Sequence, residues 1–239
     1  MSVFNEPRIE AYIGGTGSGK GVSIKRRLAE LKPKRLIIWD PRSEYEGHAE
    51  QVAGLAAMAK AMKGKTWRLR YVFDERLDIE ETFAMVCRAA FAAGDCVYLA
   101  EELSDVTKPS WAPPAWRRCI TQGRHQALHL IAATQRPALI DKSFLSAATL
   151  VRCFMLGYSA DWRTMAEQLN APLDGVRRLV TQKDEATGTT TIEYLERIRR
   201  SRELYSGTMT INGTSFRGRR TLIRDVDATP APRKKRAAT

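Results

Sequence analysis

Glycines ahead of a lysine, a pair of adjacent glutamates and a strand-terminal glutamine are the residues of this chain whose types and spacing could do chemistry. The glycines and lysine come first, as Gly14, Gly15, Thr16, Gly17, Ser18, Gly19, Lys20 and Gly21. They follow a short apolar run, Ile9 to Ile13, and precede a helical pattern through Val22, Ile24, Leu28 and Leu31. Strand, glycine-rich turn, lysine and helix is the order that wraps backbone N–H groups around phosphate oxygens. The helix N-terminus adds partial positive charge, and glycine tolerates dihedrals and close approaches that a Cβ would block. Lys20 would then reach the β- and γ-phosphates of a nucleotide. One position departs from the pattern. Where G-x-x-x-x-G-K-[ST] asks for a hydroxyl to ligate magnesium, this chain has Gly21.

The second group is Val97-Tyr98-Leu99-Ala100-Glu101-Glu102, an apolar strand that delivers two acids at its C-terminal end. In parallel α/β sheets ligands sit outside the carboxyl ends of the strands, so both acids would face phosphates bound by the first strand's loop. One carboxylate there can hold magnesium and its neighbour can take a proton from an attacking water. Adjacent residues do not share a side, so one acid is expected to face the metal and the other the nucleophile. Two solvated glutamates at a strand end is the plainer alternative. The third group is Thr134-Gln135-Arg136-Pro137, after the apolar run Leu130 to Ala133. A glutamine at that place can orient a hydrolytic water without titrating. A turn entering a helix would account for the same residues, since Pro137 already restricts Arg136.

Positioning these groups requires a sheet. Arg35 to Trp39 and Trp67 to Phe73 are expected as further strands, Ala49 to Met62 and Ile79 to Ala92 as helices, and Asp95 to Ala100 as a short buried strand. Ala115 to Gly123 can be helix, Leu128 to Ala133 and Leu150 to Leu156 strands, and Asp161 to Leu169 and Asp174 to Val180 helices. Strands alternating with helices argue for a mostly parallel α/β sheet with helices on both faces. Thr208 to Ile211 and Thr214 to Phe216 flank Asn212-Gly213, a two-residue hairpin signal. The expected organisation is an α/β domain over 1–196, a basic extension with a hairpin over 197–227, and a disordered basic tail over 228–239.

Composition narrows the classes. With 44% apolar and 28% charged residues in 239, the chain is long enough for a full core. The most apolar window, Ala84 to Ala100, is broken by Arg88 and Asp95, so no membrane span is expected, and the N-terminus lacks the features of a secretion signal. Cys87, Cys96, Cys119 and Cys153 are scattered and read as reduced thiols in a cytoplasmic protein. The net charge is +12, and from Arg197 onward 12 Lys and Arg face only Glu203, Asp225 and Asp227. A nearly neutral body with a basic C-terminal arm suggests a polyanionic partner, nucleic acid first, with a merely solubilising tail as the alternative.

Taken together, the P-loop, the two-acid strand and the Thr-Gln-Arg-Pro strand resemble the HerA–FtsK superfamily of DNA-pumping P-loop ATPases. Asp40-Pro41-Arg42-Ser43-Glu44-Tyr45 is similar to the D-P-x-x-E-Y stretch of its HerA branch, and Arg152 to Leu156 followed by Asp161 also fits. The similarity covers roughly 8–169, and the compact size is most similar to viral genome-packaging ATPases, with Zot-type phage assembly proteins second. The resemblance implies a RecA-like fold, with ATP and Mg2+ as the ligands. It implies Gly14 to Gly21 as the nucleotide loop, Glu101 as the magnesium ligand, Glu102 as the catalytic base and Gln135 as the polar sensor. It also implies a homo-oligomeric ring, typically a hexamer, in which an arginine reaches the neighbour's nucleotide. Arg124 is the first candidate for that role, Arg152 the second, and Arg136 stays open. The partners implied are double-stranded DNA, bound without regard to sequence, and a capsid or portal-vertex protein. DNA-stimulated turnover in the host cytoplasm, or in association with the virion, would follow.

Two features bear on mechanism. Glu101 stands where relatives carry aspartate, and its extra methylene could offset the hydroxyl lost at Gly21. The loop from Val106 to Trp116 holds three prolines and two tryptophans, and Trp111 and Trp116, with Lys108, Arg117 and Arg118, could face DNA in a pore. A loop packed on its own rings is equally compatible. His48, His125 and His129 have no metal-ligand spacing and are expected in surface or packing roles. The rival class is a nucleotide-switched phage assembly factor that does not translocate DNA. A small-molecule kinase is disfavoured by the Thr-Gln-Arg-Pro strand and the basic arm.

Overall fold

A computed structural model describes residues 6–225. Eleven strands form one sheet in the order β11-β10-β9-β7-β1-β6-β5-β2-β4-β3, with β8 paired to β9. The parallel part is β1 (Arg8–Ile13), β2 (Arg35–Trp39), β3 (Glu50–Gln51), β4 (Trp67–Tyr71), β5 (Val97–Ala100), β6 (His129–Thr134) and β7 (Leu150–Cys153). The antiparallel part is β8 (Thr181–Asp184), β9 (Thr189–Ile198), β10 (Glu203–Asn212) and β11 (Ser215–Asp225). The expected α/β class, mostly parallel with helices on both faces, is what the chain adopts.

Strand alternation divides the core in two. Ile9, Ala11, Ile13, Ile37, Trp39, Tyr98 and Ala100 turn to one face, where α2 (Leu55–Ala61), α3 (Ile79–Ala93), α4 (Pro114–Gln122), α5 (Lys142–Ala147), α6 (Ser159–Leu169) and α7 (Leu173–Arg177) cover them. Tyr12, Leu36, Ile38, Val97, Leu99 and Ile131 turn to the other face, against Ile24 and Leu28 of α1 (Lys20–Leu31). Local signals set the helix ends. Asp78 accepts from Glu81 N at 2.7 Å to start α3, and Gly94 at φ 54° stops it.

Glu10, on the central strand β1, is a buried carboxylate facing α1. It accepts from Arg27 Nη2 at 2.7 Å and from the Tyr12 hydroxyl at 2.8 Å, and His129 Nε2 lies 2.8 Å away. Burial pushes this carboxyl up, but the hydrogen bonds of His129 and Arg27 outweigh burial and hold it at about 2. A carboxyl whose pKa is depressed on folding stabilises the fold above its unfolded value of 4.5, and that contribution is lost as pH falls toward 2. The pairing should therefore be worth on the order of 3 kcal/mol at neutral pH. Glu10→Gln should flatten the acid limb of stability between about pH 5 and 2 in denaturant titrations. An unchanged acid limb would remove Glu10 from the account.

Several elements differ from the sequence reading. The Ala-rich run starting at Ala49 is not helical until Leu55, because Glu50 and Gln51 pair with Leu69 and Arg70 at the sheet edge and Gly54 at φ 98° separates the two. β7 stops at Cys153, since the chain then bends toward the P-loop, where Gly15 N donates to Met155 O at 2.9 Å. The hairpin loop is Gly213-Thr214 rather than Asn212-Gly213, with Asn212 paired to Ser215, and its strands are far longer than expected. β9 runs across position 196, so the expected boundary there falls inside a strand of the continuous sheet. The expected disordered tail over 228–239 lies outside the described residues.

Candidate active site

The turn after β1 is shaped by what cannot fit in it. A Cβ on Gly14 would lie 2.4 Å from Ser18 Oγ and 2.8 Å from Phe154 Cβ. Gly19 sits at φ 90°, and a Cβ there would lie 2.4 Å from Ile192 Cδ1. The first turn of α1 has no side-chain cap, so its N–H groups face the turn as donors for an anion. Gly15 to Val22, Lys25, Glu44, Gln135 and three residues of the antiparallel strands, Thr190, Ile192 and Ile211, line a cavity of about 400 Å3.

Both glutamates at the end of β5 converge on the lysine of this turn. Lys20 Nζ lies 3.4 Å from Glu101 Oε2 and 3.9 Å from Glu102 Oε2. Glu101 also accepts from the buried Tyr45 hydroxyl. Burial, and then the Glu101 charge beside it, pushes that phenol well above its ordinary range, so Tyr45 remains a donor. Glu102 has left-handed backbone, φ 49° and ψ 60°, an uncommon conformation for a residue with a Cβ and one that turns the chain out of β5.

Glu102 is tied to Gln135 across the neighbouring strand. Gln135 donates its backbone N–H at 3.1 Å and its Nε2 at 2.8 Å to the two oxygens of Glu102, and Ser104 Oγ donates at 2.8 Å. Gln135 Oε1 in turn accepts from Thr16 Oγ1 of the P-loop at 2.6 Å. Burial works to raise the Glu102 carboxyl, but the Lys20 charge and these hydrogen bonds prevail and hold it below the usual glutamate range. Glu102 is thus an oriented anion at neutral pH. Chemically, the arrangement offers a phosphate cradle, a cation, and a carboxylate poised to accept a proton.

Magnesium is ordinarily held through one or two carboxylates plus phosphate oxygens rather than by a protein cage. The donor set fits that use. Glu101 stands beside Lys20, a cavity-lining residue, and among the described residues no three acids, histidines or cysteines gather into a closed cation site.

The three arginine candidates separate. Arg124 is exposed in a turn at the N-terminal ends of β5 and β6, the opposite edge of the sheet from the P-loop, with His125 Nε2 3.4 Å away. Arg152 is anchored to Glu196 and to Ser23 Oγ at 2.6 Å. Arg136 flanks Gln135 but is paired with Asp161 at 2.8 Å and stacked over Tyr158. Trp116 is fully buried against Phe83, Tyr98 and Phe144, which removes it as a ring for DNA. Trp111 is partly exposed, with Lys108 over its ring and Glu80 holding Lys108 at 3.1 Å. His129 has the packing role described with Glu10. All four cysteines are buried free thiols. Among the described residues no helix is long and apolar enough to cross a membrane. Sequence reasoning missed Tyr45 and Ile192 as parts of the site. Only Tyr45 carried a signal, through the D-P-x-x-E-Y stretch.

No family model matches the chain. Protein P9 of Pseudoalteromonas phage PM2 is 28% identical over 171 residues, which span 70% of this chain and 77% of that protein. The genome packaging NTPase B204 of Sulfolobus turreted icosahedral virus 2, in complex with AMPPCP, superposes with a TM-score of 0.67 at 20% identity, covering 83% of this chain and 96% of that one. The N-terminal domain of zonular occludens toxin from Neisseria meningitidis aligns over 81% of this chain and 85% of its own at 16% identity, but its TM-score of 0.44 carries no argument. The likeness to viral packaging NTPases expected from the motifs is found in the fold, and the chain has the fold of those P-loop NTPases.

Proposed function

We propose that this chain is a magnesium-dependent ATPase that drives double-stranded DNA into a viral capsid as a ring of identical subunits. The observation that carries the reading is the convergence of Lys20, Glu101, Glu102 and Gln135 on the glycine-rich turn. On ATP binding, Lys20 would exchange its carboxylate partners for the β- and γ-phosphates. Glu101 would hold magnesium, which supplies charge neutralisation on the phosphates. Gln135 orients the Glu102 carboxylate, and Glu102 takes the proton of the water attacking the γ-phosphate. Arg124, exposed and away from its own P-loop, is the arginine best placed to be offered to a neighbouring subunit. Arg152 and Arg136 are committed within the chain.

The basic partner surface is β11. Arg217 and Arg219 stand on one face of this edge strand and Arg220 on the other, and the arm beyond it adds Arg233 to Arg236 in sequence. Such a surface reads the phosphate backbone rather than bases. A capsid or portal-vertex protein as docking partner, and the host cytoplasm or the virion as location, belong to the same reading.

The test is ATP hydrolysis with and without long duplex DNA. We expect stimulation by duplex of any sequence, with affinity falling on a log–log salt plot by about 0.9 per phosphate contacted. The second reading, a nucleotide-switched assembly factor, is favoured by Gly21, and it predicts nucleotide binding without turnover. That result would overturn the motor.

A further inference from the structure

Gly21 leaves the nucleotide site short of one oxygen, and the structure supplies one from elsewhere. We infer that Glu44 takes the place of the missing P-loop hydroxyl as an oxygen ligand to the magnesium ion that accompanies the nucleotide. The inference rests on the P-loop being a nucleotide site, as proposed above.

Gly21 is the second residue of α1 and its φ lies outside the left-handed region, so nothing in the backbone demands glycine there. A Cβ built on it meets, within 4 Å and outside its own helix, only Glu44 Oε2, at 3.9 Å. Among the described residues, then, the space that a serine or threonine side chain would enter is bordered by a carboxylate oxygen. Glu44 and Gly21 line the same cavity as Lys20 and Gln135. The Glu44 carboxylate has no hydrogen-bond or ion-pair partner among the described residues, although Lys25 lines the cavity beside it.

The segment carrying Glu44 is held on both sides. The buried Asp40 accepts from Glu44 N at 2.8 Å and from Tyr45 N at 3.1 Å. Arg70 fixes Asp40 at 3.2 Å and Ser43 Oγ at 2.8 Å. The next residue, Tyr45, donates its hydroxyl to Glu101. Glu44 and Glu101 are therefore placed by one unit, Glu44 lining the cavity and Glu101 lying 3.4 Å from the Lys20 Nζ that lines it too. This is the arrangement needed to hold a hard cation against phosphate oxygens. The Gly21–Glu101 compensation considered from sequence gives way to this one, because one Glu101 oxygen is engaged by Tyr45 while the Glu44 carboxylate is open to the cavity.

Replacing a neutral hydroxyl by a carboxylate changes the sign of an effect. Without metal, Glu44 repels the phosphates. With metal, it would help hold the ion that neutralises them. A fluorescent ATP analogue titrated into the intact protein in Mg2+ and in EDTA reads this directly. For Glu44→Gln we expect weaker binding in Mg2+ and equal or tighter binding in EDTA, so that the ratio of the two affinities falls about tenfold or more. Gly21→Ser placed in the Glu44→Gln background should restore much of the Mg2+ preference, and the open space at position 21 accommodates it. Equal loss in both media, or no loss in either, overturns the assignment. Failure of the unaltered protein to bind the analogue in either medium would instead overturn the nucleotide site itself, and this inference with it.

Discussion

Glu102→Gln should abolish steady-state ATP turnover, by about two to four orders of magnitude, while leaving nucleotide binding intact. The amide keeps the shape of the carboxyl and can still accept from Gln135 N and Ser104 Oγ, but it cannot take a proton from water. Removing a negative charge 3.9 Å from Lys20 also leaves the lysine freer to meet phosphates, so affinity should not fall. Phosphate release and analogue titration check the two halves separately. Turnover within tenfold of the unaltered protein would take Glu102 out of the base role. The pH profile adds a second check. Because the Glu102 carboxyl is held below the usual range, the basic form persists on acidification, and the rate should not fall until pH drops through that lowered value. In a ring with head-to-tail interfaces, an equal mixture of Glu102→Gln and Arg124→Ala subunits should regain activity at about a quarter of its interfaces. No recovery on mixing would exclude Arg124 as the group acting across subunits.

Glu196→Leu should destabilise the fold by about 3–5 kcal/mol, the largest single loss we expect away from the P-loop. Glu196 is fully buried on β9 and takes Arg152 on one oxygen and Arg220 on the other. Arg152 crosses from β7 to reach it, lies 4.7 Å over the ring of Tyr194, and donates to Ser23 of α1 at 2.6 Å. Without Glu196, Arg152 remains as a mostly buried cation with no counter-charge, whereas Arg220 is half exposed and can turn to water. Converting the pair together, as Glu196→Leu with Arg152→Met, should recover most of the loss, because a buried ion pair exchanged for apolar packing is close to neutral. Urea midpoints at unchanged slope measure both variants. A single-variant cost under about 1 kcal/mol would show that the pair is solvated in solution.

The candidate site was legible because a glycine-rich turn and strand-end acids are patterns local in sequence. Gly14 to Lys20 lie in one turn, and Glu101-Glu102 and Gln135 end strands whose apolar runs announce them. The parallel strands were legible for the same reason, since burial on both faces leaves continuous runs such as Leu128 to Ala133. What escaped was set by distant partners. Glu50 and Gln51 look helical alone and become a strand only because β4 offers its edge. β9 was lost because polar threonines and glutamates interrupt its buried Ile192, Tyr194 and Leu195. Ile192 closes on Gly19 through pairing that no local pattern encodes. The basic composition after Arg197 marked a boundary in charge, but the sheet continues through it.

The position of β1 at the centre of the sheet has a consequence for how the chain comes into being. This strand precedes every other described strand, yet both its neighbours, β6 and β7, come last among the parallel strands, and Ile9 bonds to a residue 140 positions later. The P-loop waits longer still, since Ser18 O accepts from Thr181, 163 positions on, and Gly19 packs on Ile192. A ribosome adding roughly 5–20 residues per second therefore leaves an apolar strand and an open glycine turn unpartnered until the antiparallel strands have emerged. Folding must wait for the C-terminal strands, and contacts this distant in sequence make it slow. Nucleotide affinity would thus report that β10 has docked, because Ile211 lines the cavity.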